Sequence, residues 1–240
     1  FTMSRCDVGH HNYALVGLND AKQIEIFCST GQNTTFWVIG YFNKNAVFLD
    51  DCPNRPPLVA NSWQTIDFSD IAPDAMAGIF LVGPWSGHEY DAGLRPFGST
   101  NDWHYPSRSH FALVKMVNGK VDCYRHSSIA VSAMHMYLTG YLKSGGDFRT
   151  NAIDITPLDT GLWVPVGIHV GAEFPTLISV ECFTTTGYTY FGSRKTKSYR
   201  DILSRYPRHT FNCVHPAIVP DIELWRDTVD VHFKQHGTLY

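Results

Sequence analysis

Three stretches in the middle of the chain decide its fold: Phe111-Ala112-Leu113-Val114, Val121-Asp122-Cys123-Tyr124, and Met-Tyr-Leu-Thr-Gly-Tyr-Leu at 136–142. Each stretch has a similar segment about 100 residues before it and another about 100 residues after it. The earlier copies lie at 13–16, 24–27 and 36–42, and the later ones at 211–214, 222–225 and 233–239. Because the order and the offset persist along the chain, we infer an internal repeat.

Individual residues recur with the same offset. The recurring pairs and triplets are Trp63 with Trp163, Arg95 with Arg194, and Gly40 with Gly140 and Gly237. We expect the two tryptophans to pack in a hydrophobic core. For the arginines we expect a carboxylate partner or bonds to loop carbonyls, with an anion site as the alternative.

The repeated segments have the character of β-strands. Apolar and polar residues alternate at 24–26 and 222–224, which is typical of half-buried strands. Asn118-Gly119 predicts a type I′ hairpin turn, and a helix is indicated only at 197–206. With about seven short strands per unit, the pattern predicts an all-β protein of two tandem antiparallel β-sandwich units, jelly-roll-like, plus a partial third hairpin at 211–240.

The sequence permits two divisions into units. In the one adopted here, residues 1–106 form the first sandwich, and residues 107–240 form the second together with the third hairpin. In the alternative, residues 46–142 and 143–240 are the complete units. That division leaves the beginning of the chain without its sandwich and predicts missing N-terminal sequence or a swapped partner.

Composition excludes several classes of protein. Hydrophobic residues make up 44% and charged residues 17% of the 240, which argues against disorder and against a charged coiled coil. A net charge of −3 does not supply the electrostatic attraction that nucleic-acid binding needs. No apolar run approaches the roughly 20 residues of a membrane helix, so no membrane insertion is expected.

The sequence contains little that indicates chemistry. The six cysteines form no close pair, so we expect unpaired thiols and no structural zinc site. No nucleophile elbow, P-loop, zinc-protease or dinucleotide motif occurs, and we therefore expect no catalytic residue, metal or cofactor. His110 and His209 precede recurring strands, where we expect them to bond to the backbone.

Loop residues are the candidate binding positions. Trp85 and Trp103 do not recur and lie in loops rich in Gly, Ser, Asn and His, where an exposed ring can stack on a sugar or anchor a protein. His88 belongs to a His-Glu-Tyr-Asp run, which we expect to be a solvated loop, with a metal- or ligand-binding loop as the alternative. Tyr188 lies in the segment that replaces the Trp85 loop in the second unit.

The segments at 93–99 (Gly-Leu-Arg-Pro-Phe-Gly-Ser), 111–114 and 137–142 resemble the repeated β-sandwich modules of tailed-phage and related virion surface proteins. The resemblance implies a non-enzymatic virion structural protein at the particle surface: capsid decoration, head fibre or tail-associated. Its partners would be copies of itself and other virion proteins. The truncated third copy, in which Thr238 replaces Tyr41 and Tyr141, would leave an edge strand exposed or paired with a neighbouring subunit.

Two other functions remain open. The first is a carbohydrate-binding module that uses Trp85, Trp103 or Tyr188 on one rim, with surface glycans as its partner. The second is a hydrolase built on a β-sandwich. It requires a convergent carboxylate or a Cys/His pair from the loops that do not repeat.

Overall fold

The computed structural model describes residues 14–18, 21–24, 26, 45–85, 90–168, 177–185, 189–196, 209–214 and 221–240. Within these ranges the chain is all-β, with one 3-10 turn at Val131–Ala133, and its sheets are antiparallel. The predicted fold class is confirmed at this level. The predicted helix at 197–206 and Gly40 lie outside the described residues.

The first unit contains eight described strands in two sheets. The strands are β1 (Ala46–Phe48), β2 (Trp63–Asp67), β3 (Ala77–Pro84), β4 (Tyr90–Pro96), β5 (Tyr105–Ser107), β6 (His110–Lys115), β7 (Lys120–Arg125) and β8 (Met134–Leu142). The order β1-β8-β3-β6 forms what we name the first inner sheet, and β2-β7-β4-β5 forms the first outer sheet.

The second unit contains seven described strands. They are β9 (Gly146–Asp154), β10 (Trp163–Gly167), β11 (Leu177–Thr184), β12 (Phe191–Lys195), β13 (His209–Val214), β14 (Asp221–Arg226) and β15 (Val231–Leu239). The second inner sheet has the order β13-β11-β15-β9, and the second outer sheet has the order β10-β14-β12. The pairing of β3 with β8 is interrupted between Ile79 and Phe80, and that of β11 with β15 between Ser179 and Val180.

Strand pairing corrects the division after residue 106. β6 pairs with β3, and β7 pairs with β2 and β4, so a boundary at that point would cut through both sheets of the first unit. The hydrogen-bonded sheets instead group 46–142 and 146–239, as in the alternative division. Of the first repeat copy, residues 14–18, 21–24 and 26 are described, and they contain no strand.

The expected hairpins turn out to connect different sheets. Asn118 and Gly119 have φ of 52° and 74°, and Val117 and Lys120 exchange backbone hydrogen bonds, as a type I′ turn requires. However, β6 lies in the inner sheet and β7 in the outer one. In the same way, the segment at 211–240 contributes β13, β14 and β15 to both sheets of the second unit. β15 is an internal strand between β11 and β9, so the expectation of an exposed third-copy edge is wrong for this strand.

Each sandwich encloses its own hydrophobic core, and a third cluster joins the units. Phe80 is fully buried in the first core, and Phe233 is fully buried in the second. On the opposite faces of the inner sheets, Ile79 and Leu113 of the first unit share a cluster with Phe148 of the second. Because the first inner sheet is covered on both faces, β3 is buried at every position, which explains its nearly continuous apolar sequence.

Candidate functional site

The contact between the two units contains a buried carboxylate held by two histidines. Glu181 lies on β11, with His209 on β13 and His236 on β15 to either side of it. Nε2 of His209 is 2.6 Å from Oε1 of Glu181, and Nε2 of His236 is 2.7 Å from Oε2. All three side chains are at most 2% exposed. We name these three residues and His110 the Glu181 cluster.

The first unit contributes His110 of β6 and aromatic rings to the same region. Measured between ring centroids, His110 lies 5.2 Å from His209 and Tyr105 lies 6.1 Å from His209. Nδ1 of His110 is 2.9 Å from the carbonyl oxygen of Arg108. The expectation that His110 bonds to the backbone is therefore met, whereas His209 bonds to a carboxylate on the neighbouring strand.

Burial sets the charges of this cluster. Burial alone would raise the pKa of Glu181, but the hydrogen bonds from His209 and His236 outweigh it and lower the pKa to about 2. For His110, burial is the largest cause and the charge of His209 the next, and together they lower the pKa to about 3. The site therefore combines a carboxylate that stays ionised with a histidine that stays neutral at ordinary pH.

This arrangement links three neighbouring strands of the second inner sheet, and it is closed to solvent. Both carboxylate oxygens are engaged, and among the described residues no group of three His, Cys, Asp or Glu side chains is arranged to hold a metal ion. Hydrogen bonds that cross the contact lie elsewhere: Ser179 Oγ donates to the Leu113 carbonyl at 2.8 Å, and the Thr100 amide donates to Asn151 Oδ1 at 2.9 Å.

Trp103 lies in the contact between the two units and not on an exposed rim of the sandwich. Its ring stacks on Phe183 of the second unit with 5.8 Å between centroids. The ammonium of Lys234 lies 4.8 Å from the Trp103 ring and 2.5 Å from a carboxylate oxygen of Asp154. The indole is half-buried between the units, which leaves little surface for a sugar.

Of the two predicted binding residues that the structure describes, Trp85 is the exposed one. Its side chain is 71% exposed, and its ring stacks beside His135 with 6.2 Å between centroids. Its amide donates to the Ala133 carbonyl at 2.9 Å, which holds the end of β3 against the β7–β8 connection. His88 and Tyr188 lie outside the described residues.

The recurring tryptophans lie on the outer sheets instead of in the cores. The guanidinium carbon of Arg95 is 4.1 Å from the ring centroid of Trp63, and that of Arg194 is 4.1 Å from the ring centroid of Trp163. The expectation of core packing is therefore wrong for both rings, which are half-buried. An indole on a solvent-facing sheet can be covered by a flat cation as well as by apolar atoms.

The two arginines also have the carboxylate partners expected of them. Nε of Arg194 is 2.5 Å from Glu223, and Nε of Arg95 is 3.5 Å from Asp122. Each carboxylate lies on the strand beside its arginine, because Arg95 pairs with Asp122 and Arg194 with Glu223 in the sheet register.

The recurring glycines mark close approaches between neighbouring strands. A Cβ at Gly140 would lie 2.6 Å from the Val47 carbonyl oxygen, and one at Gly237 would overlap the ring of Phe148. A side chain at either position would therefore push the edge strand away.

Sequence reasoning missed two buried arginines that organise one end of each sandwich. Arg125 donates to the carbonyl oxygens of Pro57 at 2.8 Å, Leu58 at 2.7 Å and Ile129. It thereby ties the β1–β2 and β7–β8 connections together at what we name the Arg125 end.

Arg226 does the same in the second unit, at the Arg226 end. It donates to the carbonyls of Leu158 at 2.7 Å, Asp159 at 3.3 Å and Val229 at 3.1 Å. The recurrence of an aromatic residue followed by arginine, at 124–125 and 225–226, is the signal that could have identified both.

Apolar side chains project from these tied loops. Exposed members at the Arg125 end are Leu58 and Val59, and those at the Arg226 end are Leu158, Leu162 and Val229. Leu158 is 92% exposed although its carbonyl is held by the buried guanidinium of Arg226. The backbone is thus constrained while the side chain faces solvent, an arrangement suited to contact with another surface.

Comparison of the chain with protein-family models, with curated proteins and with solved structures found no match. Among the described residues, no helix has the length and apolar character needed to cross a membrane.

Proposed function

We propose that this protein is a non-enzymatic virion structural protein, a capsid-decoration, head-fibre or tail-associated component that acts through contacts between subunits. The observation that supports this most is the strand order. In the first unit the sheets have the orders 1-8-3-6 and 2-7-4-5, numbered along the chain. This order supports the proposed jelly-roll connectivity, an architecture found in viral capsid and lectin domains.

The second unit supports the same interpretation. Its inner sheet, β13-β11-β15-β9, corresponds strand by strand to β6-β3-β8-β1, and its outer sheet, β10-β14-β12, corresponds to β2-β7-β4. Both outer sheets also have an arginine above a tryptophan at 4.1 Å. These correspondences favour two jelly rolls that arose by duplication, and tandem jelly rolls suit a protein whose task is to pack.

The apolar loop ends support contact with further copies. Subunit interfaces combine apolar anchors with a constrained backbone, and Leu158 and Val229 provide both at the Arg226 end. A low fraction of charged residues, 17%, is also in keeping with surfaces that become buried on assembly.

Light scattering after size exclusion, with electron microscopy of the peak fraction, tests this proposal on the full chain at micromolar concentration. We expect a discrete oligomer, and the variant Leu158→Asp should shift it toward monomer without changing the melting temperature. Phe97→Asp is the matched control, because it adds the same charge to an exposed apolar residue beyond β4, at the end of the sheet opposite Arg125. A monomer at every concentration would argue against assembly as the function.

Carbohydrate binding is the second candidate, and the 71% exposure of Trp85 favours it. An exposed indole beside a second flat ring, that of His135, is a surface on which a sugar can stack. Glycan-array binding by the wild type, lost in Trp85→Ala and largely kept in Trp103→Phe, would support this function. Absence of binding to any glycan would reject it.

A further inference from the structure

The strands that meet between the two units run in the same direction. The ring of His110, the first residue of β6, lies 5.2 Å from that of His209, the first residue of β13. Further along both strands, the Leu113 carbonyl accepts a hydrogen bond from Ser179, which pairs with Cys213 of β13. β6 and β13 therefore lie side by side, and corresponding ends of the two sandwiches point the same way.

The Arg125 end lies on the side where β6 begins. Val82 of β3 pairs with His110, and β3 ends two residues later at Pro84. The amide of the next residue, Trp85, donates to the β7–β8 connection, to which Arg125 also donates.

The Arg226 end lies in the same way on the side where β13 begins. Phe183 of β11 pairs with both His209 and His232. β15 begins one residue before His232, at Val231, whose carbonyl accepts a hydrogen bond from Arg226 at 3.4 Å. Exposed apolar side chains from both ends therefore share one side of the molecule. We name them the common end face: Leu58, Val59, Trp85, Leu158, Leu162 and Val229.

The two halves of the common end face differ in charge. In the first unit, the loop segments at 56–62 and 126–133 contain no Asp, Glu, Lys or Arg. The corresponding segments of the second unit, at 155–162 and 227–230, contain Asp159, Asp227 and Asp230 and no Lys or Arg. Two Arg226 ends placed against each other would therefore bring carboxylates together, which is unfavourable.

The uncharged half carries hydrogen-bond donors that suit carboxylates. Trp85 and His126 contribute ring N–H groups. Asn61 accepts a hydrogen bond from the Ser127 amide through Oδ1, so its amide nitrogen is the donor side of the group. The common end face thus combines an apolar half with acceptors and an apolar half with donors, and it is complementary to itself.

We propose that the common end face binds a second copy of this chain across a two-fold axis, with the Arg226 end of each copy on the Arg125 end of the other. This inference rests on the proposed function and specifies one of its subunit contacts. In a two-fold contact the same patch is used by both copies, which is the arrangement that a self-complementary face allows.

The area available fits this contact only if both ends take part. Strands about 4.8 Å apart and sheets about 10 Å apart give one sandwich end roughly 20 Å by 20 Å, or roughly 400 Å². A stable interface buries about 800 Å² on each partner. One end alone falls short of this area, whereas the two ends together reach it.

Cross-linking of variants with one added cysteine tests which ends meet. Leu58→Cys and Leu158→Cys variants of the full chain are treated with a bismaleimide whose arm is about 10 Å, the spacing of two packed sheets. Either variant alone should give no covalent dimer above the wild-type background. When the two are co-expressed, about half of the random pairs contain one chain of each kind, and these should be joined from position 58 to position 158. Phe97→Cys is the matched control, because Phe97 is exposed at the opposite end of the first unit and should give no cross-link.

The outcomes separate this contact from assembly in general. Covalent dimers in each variant alone, without an excess on co-expression, would mean that each end meets its own kind and would overturn the proposal. Absence of the link between positions 58 and 158 in a protein that still elutes as an oligomer would also overturn it, while assembly through another surface would stand. A monomer at every concentration would overturn both this contact and the proposed function.

Light scattering of Leu58→Asp gives a second measurement. Because both ends take part, this variant should weaken self-association at least about tenfold, as Leu158→Asp should, with an unchanged melting temperature. Phe97→Asp should associate like the wild type. Dissociation by Leu158→Asp together with an unaffected oligomer in Leu58→Asp would confine the contact to the Arg226 end and contradict the two-fold arrangement.

Discussion

Replacement of Arg125 by methionine should destabilise the first unit by about 3–5 kcal/mol. Arg125 is 5% exposed and donates to the carbonyls of Pro57, Leu58 and Ile129. Hydrogen bonds that involve a charged partner contribute roughly 1.5–3 kcal/mol each to stability. We expect a total below the full sum, because the loops lie at the surface and water can bond to part of the released carbonyls.

Urea unfolding followed by tryptophan fluorescence and circular dichroism measures this loss as a lower midpoint at unchanged slope. Arg226→Met should give a loss of similar size in the second unit, since Arg226 donates to an equivalent set of carbonyls. Arg149→Met is the control, because this side chain is 35% exposed and 3.9 Å from Asp147, so its loss should stay below about 0.5 kcal/mol.

Arg125→Lys separates charge from geometry. Lysine retains the positive charge but cannot direct donors at carbonyls of two separate loops, so most of the loss should remain. A loss below about 1 kcal/mol in Arg125→Met would refute the reasoning. It would mean that other contacts hold the loops and that the guanidinium is not what constrains the Arg125 end.

Two further predictions concern the units and the thiols. A fragment of residues 46–142 should fold cooperatively by circular dichroism, because it contains both sheets of the first unit. A fragment of residues 1–106 lacks three of the eight strands of that unit and should remain unfolded. The opposite result would restore the division after residue 106. In native protein treated with iodoacetamide, half-buried Cys52 should be modified well before fully buried Cys123 and Cys182, whose thiol pKa values are raised by burial. Peptide mass spectrometry measures the order of modification. Faster modification of Cys123 than of Cys52 would contradict the described core.

The all-β class and the Asn118-Gly119 turn were predictable because they depend on neighbouring residues. Period-2 alternation reflects a strand with one buried face, and two successive positive φ angles are locally favourable for Asn-Gly. The same residues do not determine which strand pairs with which. Only four residues separate β6 from β7, yet each strand finds its partners in a different sheet.

The side of the sheet on which the recurring residues lie was harder to predict. Trp63 and Trp163 recur as core residues would, but an indole is equally well covered by a flat guanidinium on the solvent side of a sheet. The carboxylate partners of Arg95 and Arg194 were predictable as a kind of interaction, because an arginine that is largely buried needs acceptors.

The β-structure, the recurring positions, the low charge and the Asn118-Gly119 turn follow from residue type and local spacing alone. The folded arrangement of the strands brings Glu181, His209 and His236 together; these residues lie far apart in the chain, and no motif connects them. It also places His110 of the other unit beside them. Sheet pairing and the stacking of one inner sheet on another are set by the burial of whole faces, which no local pattern encodes.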